Sequence, residues 1–268
     1  MERTGQLPDG RYCEQIELVA HDVDLNNRLK VSSVFSHVQE VANAQCVHFH
    51  VGHEELMERF GLCYVLTRMR FVMESYPTVG EKVWVCTWPD NKLRVVFTRY
   101  FTLHGADDRL IGSAVSNWVL FDTRRRALAK PQDYGVYIPV DTSGVTPPQV
   151  MPKGTKFDFV PAHTALRQPV YSDFDYNRHV NNARYVEWIC DVLPLELLKR
   201  QPIREIDIKY DHEIGLEAFL EQPEAARALR IDSAYDKNEF SVRGTGWDQI
   251  VFFECKGTFF QEGKEKTI

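Results

Sequence analysis

Apolar residues recur along this chain in two alternating periods. Phe35, Val38 and Ala42 fall on one stripe at helical spacing, and Val186, Ile189, Leu193 and Leu197 do so again farther on. Each stripe predicts a long helix. Downstream of each, the period drops to two. Met69, Phe71 and Met73 keep that period in the first half, and Ile206, Ile208 and Tyr210 alternate with Glu205, Asp207, Lys209 and Asp211 in the second. Stretches 82–88, 94–103 and 111–121 are rich in Val, Trp, Phe, Tyr and Thr and predict strands. Asp90-Asn91 and His104-Gly105-Ala106-Asp107-Asp108 supply the turns between them. Residues 229–233, 239–243 and 250–260 repeat the arrangement. One helix followed by meandering strands, twice over, is an α+β pattern.

The two halves also share residues. His21-Asp22-Val23-Asp24-Leu25-Asn26-Asn27-Arg28 aligns with Ser172 to His179 at a shift of 151 positions, so that Asp, Asp and Asn recur. Arg70-Phe71-Val72-Met73-Glu74 resembles Lys209-Tyr210-Asp211-His212-Glu213 at a shift of 139. The chain therefore reads as a duplicated domain. Arg28 stands where the second copy has His179, and an arginine stays protonated near neutrality. Only the second copy is equipped for proton transfer. Between the copies, Pro139, Pro147, Pro148, Pro152 and Pro161 with Gly144 and Gly154 mark a linker over 139–164. The domains expected are 10–138, binding but not catalytic, and 165–264, catalytic.

Composition narrows the classes. With 268 residues, 44% hydrophobic and 12% aromatic, the chain has ample material for two cores. A net charge of −6 lacks the basic footprint of a nucleic-acid binder. No leader-like N-terminus and no run near 18 apolar residues is present, which predicts a cytoplasmic chain without stable membrane insertion. The six cysteines (13, 46, 63, 86, 190, 255) form no CxxC pair and read as reduced thiols. His48, His50 and His53 complete no familiar ligand set, so they read as helix-end histidines and no metal or cofactor is expected.

The chemistry concentrates in Ser172-Asp-Phe-Asp-Tyr-Asn-Arg-His-Val-Asn-Asn182, just before the second helical stripe. Asp175, Asn177 and His179 sit at alternate positions and share a face if the approach is extended. Asn181 or Asn182 is a candidate N-cap, and helix-start N–H groups suit a developing oxyanion. His179 is the group able to move protons near neutral pH. Trp188 and Phe35 read as core. Arg124-Arg125-Arg126 reads either as a solvated turn after a strand or as a patch that docks an acidic partner.

The run from Ser172 to Trp188, Ser172-Asp-Phe-Asp-Tyr-Asn-Arg-His-Val-Asn-Asn-Ala-Arg-Tyr-Val-Glu-Trp, resembles the signature of acyl-acyl carrier protein thioesterases. Ser113-Ala-Val-Ser-Asn-Trp-Val-Leu-Phe-Asp-Thr-Arg-Arg-Arg126 is similar to a second segment of that family, and the resemblance extends from Tyr12 to about Phe260. It implies two tandem hotdog domains, each a long helix wrapped by an antiparallel sheet. It implies hydrolysis of fatty acyl thioesters in lipid metabolism, with acyl carrier protein as partner, no cofactor, and Asp175, Asn177, His179 and Glu213 as site residues. In that set Asp175 would hold the His179 imidazole in the useful tautomer, as the carboxylate does in hydrolase triads. An acyl tunnel is expected in the first domain, and a homodimer is left open. Plant members usually carry a cysteine directly after that glutamate; Ile214 stands here, so the mechanism must run on carboxylate, imidazole and water. The missing transit peptide suggests a bacterial or processed chain. Rival readings are an acyl-CoA thioesterase, a hotdog hydroxyacyl dehydratase, and a non-catalytic acyl-binding module.

Overall fold

The computed structural model describes residues 4–90 and 95–261. Asn91, Arg94 and the span 262–264 of the expected second domain lie outside the described residues. The chain divides into two compact units between Met151 and Pro152, inside the Pro-rich stretch.

In the first unit the helical stripe becomes α1 (Val31–His48). Val34, Phe35, Val38, Val41 and Ala42 form its buried face, which packs on strands β2 (Tyr12–Glu17) and β4 (Lys82–Pro89). Full burial of each large apolar side chain, Phe35 and Phe71 among them, contributes about 1.5–3 kcal/mol. A second helix, α2 (His53–Phe60), was not legible in the spacing; Gly61 closes it in the left-handed conformation at φ 70°. The antiparallel sheet runs β1 (Gly5–Gln6), β2, β4, β5 (Val96–His104), β6 (Leu110–Asp122), β3 (Leu62–Met73), with β7 (Ala127–Ala129) on the end of β6. A polar layer interrupts the packing between α1 and this sheet. The buried Arg99 guanidinium donates to Gln45 Oε1 at 2.7 Å and Thr87 Oγ1 at 3.2 Å, so its burial is compensated by neutral acceptors.

One cysteine expectation is corrected here. Cys13 and Cys86 form a disulfide, while Cys46, Cys63, Cys190 and Cys255 are free. The bonded pair is 73 residues apart in sequence, but β2 and β4 run antiparallel with Cys13 directly opposite Cys86. Cross-strand register, which no local spacing reveals, makes that pair.

In the second unit α3 (Asn182–Asp191) stops where one long helix was expected, and α4 (Leu195–Arg200) follows separately. Pro194 lies between them; it has no N–H to continue the ladder, so Leu197 belongs to α4 rather than to the α3 stripe. The antiparallel sheet runs β9 (Ile203–Tyr210), β12 (Val251–Phe259), β11 (Glu239–Thr245), β10 (Leu229–Tyr235), β8 (His163–Arg167). Tyr185 of α3 meets Tyr210 of β9 and Phe253 of β12 with ring centroids 5.6 and 5.3 Å apart, which seats the helix on the sheet. Trp188 and Phe35 are core residues, as expected. On β9 the alternation is incomplete, because Asp207 on the supposed solvent face is buried. Helix against antiparallel sheet in each unit bears out the α+β reading, with the second helix shorter than foreseen.

The duplication is visible bond by bond. Asp22 Oδ2 accepts from Val19 N at 3.0 Å, and Asp173 Oδ2 accepts from Val170 N at 2.7 Å. The carbonyls of Asp22 and Asp173 accept from Lys30 N and Asn181 N, again at a shift of 151. The anchors beneath them differ. His37 Nε2 contacts Asp22 Oδ1 at 3.0 Å, whereas Trp188 occupies the equivalent position in the second copy. There Arg167 pairs with Asp173 at 3.5 Å and lies over the Trp188 ring.

Candidate active site

The polar cluster is a turn, not the extended approach considered from sequence. Asp175 Oδ1 accepts from the backbone N–H of Asn177 at 2.9 Å and of His179 at 3.4 Å. Asp175 N donates to His179 O at 2.9 Å, and the isolated bridge Phe174–Val180 closes the loop. Such a turn is the ordinary use of an Asp side chain that caps amides two and four residues on. The alternation still appears in exposure: Asp175, Asn177 and His179 are half-buried, while Tyr176 and Arg178 point out. The first copy builds the same turn, with Asp24 Oδ1 accepting from Asn26 N at 2.8 Å and Arg28 N at 3.0 Å. At the corner both copies need a positive φ, 58° at Asn27 and 64° at Arg178. Asn tolerates that conformation better than Arg.

This geometry reassigns Asp175. The sequence reading had it hold the imidazole; the structure turns its carboxylate to the backbone, so it shapes the loop that carries His179. Mutation of the matched pair separates the two roles. Asp175→Ala and Asp24→Ala are each expected to destabilise the chain by about 1 kcal/mol, the usual cost of losing side-chain-to-amide bonds. Only Asp175→Ala is expected to lower turnover, by about tenfold or more, measured alongside thermal denaturation of both variants.

The residue that the turn brings together with His179 lies 34 positions away. His179 Nε2 is 3.6 Å from Glu213 Oε2, with the two side chains 44% and 51% exposed. A short antiparallel match sets this distance. Val180 N donates to Ile214 O, Leu216 N donates to Arg178 O, and His179 bridges Gly215. The imidazole lies against Gly215, where a β-carbon would stand 3.5 Å from Nε2. Helix α5 (Leu216–Glu221) starts at once, and its first-turn Glu217 pairs with the Arg178 guanidinium. The Glu217 carboxyl is held below its ordinary range by its own backbone amide, then by Arg178, with His179 adding to it.

The remaining expected site residues are placed as follows. Asn177 gives its backbone N–H to Asp175, and its carboxamide is not used by the turn. Asn181, not Asn182, is the N-cap of α3, accepting from Ala183 N at 2.9 Å. That bond occupies a helix-start amide which the sequence reading offered to an oxyanion. Ile214 is fully buried directly after Glu213, so that position carries core packing here. Arg124, Arg125 and Arg126 are exposed on the turn between β6 and β7. Asp122 Oδ1 accepts from the amides of Arg124 and Arg125, both at 2.9 Å, which fixes that turn. Among the described residues no cluster of His, Cys, Asp and Glu is arranged to hold a metal ion.

Two family models cover most of the chain: the acyl-ACP thioesterase N-terminal domain over residues 10–134 and the acyl-ACP thioesterase C-terminal domain over 162–243. The chain belongs to the acyl-ACP thioesterase family. Plant proteins are among its curated relatives. The palmitoyl-acyl carrier protein thioesterase of Gossypium hirsutum is 24% identical over 87% of this chain and 59% of its own length. The oleoyl-acyl carrier protein thioesterase of Coriandrum sativum is 29% identical over 79% of this chain and 62% of its own. The chain thus spans about three-fifths of these two relatives. Among solved structures, an acyl-ACP thioesterase from Bacteroides thetaiotaomicron is 26% identical with a TM-score of 0.77, covering 94% of this chain and 98% of that one. The 12:0-ACP thioesterase of Umbellularia californica, 18% identical with a TM-score of 0.72 over 93% and 96% of the two chains, shares the fold. These likenesses bear out the double-hotdog expectation. No described helix is long and apolar enough to cross a membrane.

Proposed function

We propose that this member of the family hydrolyses the thioester of a fatty acyl chain carried on acyl carrier protein, releasing the free acid and the carrier thiol. The observation that carries the reading is the accessible His179–Glu213 pair at 3.6 Å, held by a turn and a backbone match that need no ligand. A water held against the imidazole and the carboxylate loses its proton to one of them as its oxygen attacks the thioester carbonyl. The tetrahedral oxyanion collapses, the C–S bond breaks, and the group that took the proton returns it to the departing sulfur. A thiolate is a good leaving group, so activating water and steadying the oxyanion are the main demands. The carboxamide of Asn177, a half-buried residue of the same loop as His179, is the oxyanion donor in this scheme.

The first unit, whose equivalent turn carries Arg28 in place of His179, is assigned acyl binding rather than chemistry, within domains 10–138 and 165–264 joined by 139–164. A cytoplasmic setting is part of the proposal. The Cys13–Cys86 bond makes it testable through the redox state of that pair in cell extracts. The decisive assay measures turnover on a graded series of acyl carrier protein substrates against the same acyl groups on coenzyme A. Higher kcat/KM on the protein carrier supports the reading. Preference for coenzyme A would make the chain an acyl-CoA thioesterase, enoyl product a dehydratase, and binding without turnover an acyl-binding module.

Carrier docking is assigned to the exposed arginines of the β6–β7 turn. Reversing Arg124 and Arg126 to Glu is expected to raise KM for acyl carrier protein several-fold and flatten its salt dependence, because exposed opposite charges steer a transient encounter. Hydrolysis of a small acyl thioester is expected to change little. Equal damage to both substrates would mark the triplet as part of the turn's structure alone.

A further inference from the structure

The corner before His179 is built differently from its counterpart in the first copy, and the difference is charge. In the first copy Leu29 N donates to Pro77 O, as Val180 N does to Ile214 O in the second. There Asn27 turns the corner at φ 58°, and its side-chain oxygen accepts from Val79 N on the facing segment at 3.2 Å. A neutral contact is enough. In the second copy Arg178 takes the equivalent position, and its guanidinium donates to the Glu217 carboxylate in the first turn of α5. The backbone link is made without that pair, because Leu216 N donates to Arg178 O at 2.8 Å. Arginine also bears φ 64° less easily than asparagine would. With side chains 62% and 61% exposed, the ion pair contributes little to stability. Neither backbone geometry nor stability accounts for a charged pair at this corner.

The position of Glu217 says what the pair does. His179 bridges Gly215, and its Nε2 lies 3.5 Å from where a Gly215 β-carbon would stand. Glu213 precedes that glycine by two residues, with its Oε2 at 3.6 Å from Nε2, and Glu217 follows it by two. Two carboxylates thus flank the residue against which the imidazole rests. Their partners differ: Glu213 meets His179, whereas Glu217 is held by Arg178. Three further titratable groups surround the imidazole. Asp175 Oδ1 accepts from two amides of the loop, Tyr185 of α3 is buried within reach of the Glu213 and Asp175 charges, and His212 Nδ1 meets Val251 O.

We propose that the Arg178–Glu217 pair is a charge clamp on the catalytic loop: Arg178, a positioning residue acting through Glu217, neutralises the second carboxylate beside His179 and leaves Glu213 to balance the imidazole. This rests on His179 and Glu213 forming the catalytic pair. A bare Glu217 would favour the protonated forms of both His179 and Glu213, whereas a bare Arg178 would favour their deprotonated forms. The two halves of the clamp therefore push the acidic limb of the pH–rate profile in opposite directions. That sign is the same whichever of the pair takes the proton from water.

The test compares wild type, Arg178→Asn, Glu217→Gln and the double variant on an acyl carrier protein thioester across pH, at low and high salt. Asparagine is the first copy's own corner residue, so Arg178→Asn should fold at least as well as wild type, with thermal denaturation as the check. At low salt its acidic limb should move to higher pH by about half a unit, with KM nearly unchanged. The limb of Glu217→Gln should move to lower pH by a similar amount, and the double variant should return to the wild-type profile. Both shifts should shrink at high salt, because exposed charges are screened. Limbs that stay in place, or that move the same way in both single variants, overturn the proposal and leave a surface ion pair. Wild-type turnover and its loss in His179→Ala carry the underlying reading. Inactive wild type, or active His179→Ala, would instead remove the catalytic pair on which the clamp acts.

Discussion

His179→Ala is expected to lower thioester hydrolysis by about 10²–10⁴-fold while the chain stays folded. The imidazole is half exposed and packs against Gly215, so truncation removes little buried area. The turn that carries it is held by the backbone amide of His179 and the carboxylate of Asp175, both of which survive the change. The first copy already makes this turn with Arg28 at the equivalent position, which shows that the loop does not need an imidazole to form. The measurement is kcat on an acyl carrier protein substrate, with thermal denaturation as the control for folding. Activity within a few fold of wild type would remove His179 from the mechanism.

Glu213→Gln should be nearly as damaging, about 10²-fold or more in kcat. The amide is isosteric and accepts hydrogen bonds, but it takes no proton from water and does not balance an imidazolium. Because Glu213 is half exposed, the substitution leaves no buried charge unpaired and stability should change by less than about 0.5 kcal/mol. The double variant is informative as well. If His179 and Glu213 activate one water between them, removing both should cost little more than removing His179 alone, since residues that act as a unit are not additive. Fully multiplicative losses would place the two residues in separate steps.

Much of the fold was legible because it depends on local periods. The alternation around Ile206 and the Val- and aromatic-rich runs gave β9, β4, β6, β10, β11 and β12 within a residue or two, since a strand buried on one face writes period two into its sequence. The shift of 151 was legible for a related reason. Asp24 and Asp175 each cap their own loop, and a motif whose bonds run two and four residues ahead stays intact as a short string. Pro194 shows where that reading failed. The apolar stripe ran on through Leu197, and the backbone donor that proline lacks outweighed it.

The sequence by itself determined two α+β repeats, one with a histidine and one without, and the group of polar residues in which chemistry was to be sought. Three decisions waited for the tertiary structure. Cys13 meets Cys86 because β2 and β4 pair in one register. Asp175 faces backbone amides and not the imidazole because Arg178 turns the corner at positive φ. Glu213 reaches His179 because residues 214–216 bond to 178–180 across a gap of more than thirty positions. All three rest on contacts between segments distant in sequence. Periodicity and motif spacing record how a chain treats its nearest neighbours, whereas strand register and loop closure are settled by the joint packing of the whole unit.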